Sequence, residues 1–279
     1  MNVRSSILAI LLALLVSACT TRTEGGPDAG GDAAPDTVVL ELEPADATLT
    51  SVDGSTPSVT FRAYARTLRG DRREVEVEGW SVTDERIGVI DDAGTFVATG
   101  RAGGTIEVVA RVPGAIGGPV EARAPVRVRV DLTLAPPRDA PPDLSDRFDT
   151  LPESDEPFDA AAIEYPLDGA RMPNNVAPPV VQWHPRESPG DAYRIVVEGE
   201  HVIVRGFTWD GGRTFDASWS IAPELWRVVA DSARGGELQV RVDRIPSGAG
   251  EVVIGAPVTI WLSEDGIFGT LFYLSLIHI

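Results

Sequence analysis

The chain of 279 residues has one cysteine, three histidines and no lysine; its 24 basic residues are all arginine. Each shortage removes a class of chemistry. A single thiol cannot close an internal disulfide, so any folded module must stand on its apolar core. Without lysine there is no Schiff base, no phosphate-loop GK[ST], no Ser-x-x-Lys nucleophile and no kinase lysine. We attribute the arginine bias to codon usage in a GC-rich genome. His184 and His201 fall on different expected strands with no cysteine to complete a metal set, so surface or core roles fit them better than ligation. No H-E-x-x-H, G-x-S-x-G, EF-hand loop or G-x-G-x-x-G occurs, and no spacing singles out two acids as a glycosidase pair. Aromatic residues make up only 6% and apolar runs are short, whereas 28 glycines and 22 prolines provide many turns. That usage favours β-sandwich modules over a helical bundle. The net charge is −18, and without a basic stripe there is no footprint for a nucleic-acid partner. No cofactor and no catalytic constellation is expected.

What the sequence does have begins with residues 7–19, ILAILLALLVSAC. Arg4 gives a positive flank, residues 7–16 are an unbroken apolar run, and the small Ser17 and Ala18 precede Cys19. This is the layout of a secretory signal peptide. The run is too short to cross a bilayer, which takes about 20 apolar residues. Val16-Ser17-Ala18-Cys19 resembles the lipobox of bacterial lipoproteins. The resemblance implies removal of residues 1–18 and diacylglyceryl alkylation of the Cys19 thiol, which makes the membrane a partner through the N-terminal lipid. Each buried methylene adds about 0.8 kcal/mol, so several chains on one residue give a stable anchor. Residues 19–36 hold no large apolar side chain and read as a disordered tether, spanning on average about 20–25 Å as a flexible coil. Thr20 stands where aspartate would signal inner-membrane retention under the enteric sorting rule, which points to the outer membrane.

Residues 37–132 read as a sandwich of seven or eight short strands. Residues 38–43 and 74–78 alternate apolar with polar, and residues 59–66 do so most clearly, with Val59, Phe61, Ala63 and Ala65 on one face. Gly70 marks a turn, Asp91-Asp92-Ala93-Gly94 a second and Ala102-Gly103-Gly104 a third. Asp91 and Asp92 fit turn hydrogen bonds better than a Ca²⁺ site. Trp80, the sole tryptophan of this stretch, is expected in the middle of the inter-sheet space. The succession of Trp80, I-G-V-I-D, G-T-F-V-A and A-G-G-T-I-E-V-V-A is similar to bacterial immunoglobulin-like domains of group 2. That resemblance implies a spacer or adhesive module without catalytic residues.

Residues 133–162 carry six prolines and eight acids against two arginines, which predicts an extended spacer between domains. Residues 163–273 form the second expected sandwich. Residues 192–198 and 202–209 predict a hairpin. Residues 214–221 alternate with Phe215, Ala217, Trp219 and Ile221 on one side, and residues 223–229 predict a helix opened by Pro223 and followed by Gly235-Gly236. Trp209, Trp219 and Trp226 suit core packing better than a carbohydrate platform. The arrangement resembles a fibronectin type III-like sandwich. Residues 165–183, YPLDGARMPNNVAPPVVQW, also resemble a module that precedes TolB-like propellers in large envelope lipoproteins. Residues 274–279, LSLIHI, are what a sequencing-library transposon end encodes, so the second sandwich is expected to be truncated near Tyr273 and the last six residues are expected to be foreign to the protein. The chain thus reads as all-β: two tandem sandwiches behind a lipid anchor in the bacterial cell envelope. A non-enzymatic stalk or adhesion role with a protein or glycan ligand follows. The alternative is the N-terminal part of a larger envelope protein whose propeller or catalytic domain is lost by truncation.

Overall fold

The computed structural model describes residues 38–67, 69–113, 118–154, 160–184, 189–211 and 215–268; the leader, Cys19, the tether and the terminal residues 274–279 lie outside them. Among the described residues the protein is all-β with two short helices. Its first half strings together β1 (Val38–Glu43), β2 (Ala47–Val52), β3 (Ser58–Thr60), β4 (Arg62–Thr67), β5 (Arg72–Glu74), β6 (Gly79–Val82), β7 (Gly88–Ile90), β8 (Thr95–Ala98), β9 (Gly104–Val112) and β10 (Val120–Thr133). Two small sheets, β1-β4-β5 and β3-β8-β7, share one core with the layer β6-β9-β10-β2. Alternation sets the facing: along β10, Ala122, Ala124, Val126 and Val128 are buried while the arginines between them point to solvent. Phe61 and Phe96 are the largest fully buried side chains of this half.

The second half contains helix α1 (Leu144–Thr150), β11 (Glu153–Ser154), β12 (Ala162–Tyr165), β13 (Ala170–Met172), β14 (Val181–His184), β15 (Ala192–Gly199), β16 (Val202–Trp209), β17 (Ser218–Trp219), helix α2 (Pro223–Ser232), β18 (Glu237–Ile245), β19 (Val252–Val253) and β20 (Val258–Leu262). The sheet β12-β14-β17 shares a core with the layer β16-β15-β18-β20. An aromatic stack fills the space between them: Tyr193 lies 5.3 Å from Phe215 and 5.3 Å from Trp183, centroid to centroid. The expected hairpin is β15–β16, and the expected helix is α2, with Pro223 in its first turn and Trp226, Val229 and Ala230 buried.

β10 is the element that joins the halves. Its 14 residues reach about 45 Å. Up to Val128 it pairs antiparallel with β9; from Val130 to Thr133 it pairs parallel with β16 instead. One sheet of eleven strands therefore runs through both halves. Around this handover the Gly103 amide donates to Ser232 Oγ at 2.7 Å, Val130 N to the His201 carbonyl at 2.9 Å, and Arg129 Nη2 to Glu198 Oε1 at 2.6 Å.

Three sequence expectations need correction. The 133–162 spacer is not an extended run, because Leu144 and Phe148 lie one helical turn apart and are both buried on α1. Arg194 fixes that helix from below, donating to Phe148 O and Asp149 Oδ1 at 3.3 Å each, and β11 adds to the sheet beside β19. The alternating stretch 59–66 is two strands in different sheets, broken at Phe61. Finally, the glycine pair at 103–104 serves a close approach more than a turn: a Cβ on Gly103 would lie 2.2 Å from the His201 carbonyl oxygen.

Candidate functional site

The break at Phe61 leaves a seam in the first sandwich. β3 pairs with β8 in one sheet and β4 with β1 and β5 in the other. Between them the Phe61 amide donates to Gly94 O at 2.7 Å and its ring enters the core. Past Glu74 the chain leaves its pairing with β4. Among the described residues its backbone is held where Val75 N reaches Ala63 O at 2.9 Å and Glu78 N reaches Arg111 O at 2.8 Å. Glu76 and Val77 cross the gap between these points. A groove of about 450 Å³ results, with Phe61, Val75, Val77 and Trp80 among its lining and Glu76 and Asp92 on it as well.

Trp80 stands opposite Ala110 on β6 and faces the core, but it is only half-buried. It lies at the margin of the inter-sheet space, not in its middle, and the core is filled by Phe61 and Phe96. The turn at 91–94 presses against it. Gly94 has φ +80°, and a Cβ there would fall 2.5 Å from Phe61 O and 2.9 Å from Trp80 Cζ2, so the position needs glycine twice over. Within that turn Asp91 Oδ1 accepts from Ala93 N at 3.0 Å and Thr95 N at 2.7 Å. The turn reading of Asp91 is thereby accounted for. Asp92 is exposed, and like Glu76 it has no hydrogen-bond or ion-pair partner among the described residues. Arg62, also on the groove, is engaged with Glu74 at 3.3 Å.

The other residues weighed from sequence fall elsewhere. Cys19 is outside the described residues. His184 is exposed on β14 with Nε2 2.5 Å from Glu164 Oε1; His201 sits at the β15–β16 corner, so the two are not brought together. Trp226 is buried and donates its Nε1 to Val176 O at 3.1 Å, while Trp209 and Trp219 pack against core clusters. Sequence reading missed the buried ion pairs of the second sandwich. Asp243 Oδ2 accepts from Arg194 Nε and Nη2 at 3.0 and 2.9 Å, and Asp191 Oδ2 from Arg244 Nε at 2.8 Å. Burial, reinforced by the Asp191 carboxylate, pushes the Tyr193 phenol up. A second cleft, of about 430 Å³, lies where α2 meets the loops around Arg86 and Arg101. Its acids and arginines are equal in number, three of each, so it selects no charge.

No family model matches the sequence, and a search of curated proteins gives no match. Solved structures give distant likenesses. Immunoglobulin domains 1–4 of Sidekick-1 are 12% identical over 81% of this chain and 51% of theirs, with a TM-score of 0.24. The chain thus spans about half the length of that fragment. The Ig1-2 module of the Drosophila receptor protein tyrosine phosphatase DLAR is 12% identical over 82% of this chain and 99% of its own, TM-score 0.20. A structure from a 1.5-MDa bacterial ice-binding adhesin is 12% identical over 84% and 66%, TM-score 0.24. The fold assignment rests on the strand pairing and shared cores described above.

Proposed function

We propose that the chain is a non-enzymatic lipoprotein of the bacterial cell envelope, anchored by acylated Cys19 at the outer membrane. In this reading its two β-sandwich modules form a stiff stalk that presents a binding surface. The observation that carries the stalk is the passage of β10 from one sandwich into the other, which replaces a hinge with continuous sheet. The layer order β16-β15-β18-β20 against β12-β14-β17 supports the fibronectin type III-like reading of the second module, with the first as an immunoglobulin-like module of group 2. The buried carboxylates Asp191 and Asp243 are occupied by Arg244 and Arg194, which favours a structural over a catalytic use of them. The anchor is tested by expressing the full chain with Cys19→Ala. The expected result is protein that keeps residues 1–18 and carries no acyl chain; processed, membrane-bound Cys19→Ala protein would overturn the anchor.

A further inference from the structure

We propose that the seam beside Trp80 is a docking groove for an extended, arginine- or lysine-bearing segment of a partner protein. Its volume, about 450 Å³, falls within the range of ligand-sized clefts. The sheet crossover at Phe61 is its cause, so the opening is built into the fold.

The chemistry on its lining selects the occupant. Trp80 and two acids whose carboxylates have no partner among the described residues, Glu76 and Asp92, line the same groove. A cation satisfies all three together, by ion pairing and by attraction to the ring face. A neutral sugar could stack on Trp80 but would leave both charges uncompensated. The backbone selects an extended chain. β5 is the edge of its sheet, and among the described residues the amides of Glu76 and Val77 find no acceptor. Since Val75 N turns inward to Ala63 O, the next amide, that of Glu76, is the one a strand laid alongside would pair. The net charge of −18 disfavours a second copy of this chain and steers a basic partner towards it. This inference rests on the binding role proposed above and names its ligand class. Failure of the Cys19 test would leave it standing, since the groove does not depend on the anchor.

The experiment is fluorescence anisotropy of the full chain in detergent micelles, at about 0.15 M salt to screen remote charge. The probe is a labelled peptide alternating arginine with serine. The variant Glu76→Gln/Asp92→Asn should weaken binding about tenfold, the loss of two partly exposed ion pairs. Glu200→Gln/Glu237→Gln, an equal change of charge on the second sandwich, should leave affinity unchanged. A peptide alternating glutamate with serine should not bind. Equal weakening by both double variants would reduce the effect to net charge and overturn the proposal. So would binding of a neutral gluco-oligosaccharide in place of the arginine peptide. Both double variants alter exposed side chains only, so circular dichroism matching the unmodified chain is expected of each.

Discussion

His201 turns the corner between β15 and β16, gives its carbonyl to the Val130 amide, and keeps its ring largely enclosed, at 14% exposure. Burial holds its pKa below 6.5; Glu200, 3.6 Å away, works against that shift, and Arg127 and Arg129 work with it. Nδ1 is buried and has no partner among the described residues, so a proton placed there finds no acceptor among them. The sign follows from linkage. A histidine whose pKa is lower folded than unfolded contributes stability fully present above the unfolded value and lost as pH falls through the folded one. Denaturant unfolding should therefore show stability falling as the pH drops below 6.5, and His201→Gln should flatten that slope. An unchanged slope would mean that the ring titrates as freely in the native state as in the unfolded chain.

At the scale of elements, α1 shows both the reach and the limit of reading by pattern. The β15–β16 hairpin, the inward faces of β10 and the start of α2 are legible because period-two alternation or a proline–glycine pair marks them locally. Leu144 and Phe148 also have helical spacing, but one short turn among prolines and acids gives too weak a signal to outweigh composition. What makes that helix stable lies far along the chain: Arg194, nearly buried, binds Asp243 on one side and α1 on the other, with Phe148 5.2 Å from its guanidinium. The seam is hidden for a related reason. Residues 59–66 alternate evenly, and nothing local says that the chain changes sheets at Phe61. Removing the clamp with Arg194→Met should cost about 1.5–3 kcal/mol through two lost charge-assisted bonds, since Asp243 keeps Arg241 and the Gly255 amide. The same change should open residues 138–152 to limited proteolysis, whereas the unmodified chain should resist cleavage there. Equal cleavage of both proteins would mean that α1 does not depend on Arg194.

At the scale of the whole molecule the question is whether two sandwiches behave as two bodies or one. A flexible spacer would let them unfold independently, each with the stability of its own core. The shared sheet couples them instead: the last four residues of β10 cannot leave β16 without disturbing the strand that also holds β2 and β9. Gly103 is the tightest point of the contact. Its φ is ordinary, so what the position demands is space: a Cβ would sit 2.2 Å from the His201 carbonyl oxygen and 2.9 Å from that of Val128. Backbone atoms on both sides cannot swing away as a flexible side chain can. Gly103→Ala must then part the joint, lengthening or breaking the bond from its own amide to Ser232 Oγ and the Val130–His201 bond beside it. The expected cost is about 1–3 kcal/mol, as for overpacking a well-filled site. Calorimetry should give one cooperative transition for the unmodified chain and two for Gly103→Ala, each sandwich melting on its own. Hydrogen exchange at Val130 should quicken in the variant while that at Val108, inside the first core, does not. Two transitions in the unmodified chain would show that the continuous sheet does not couple the halves, and the stiff stalk would lose its support.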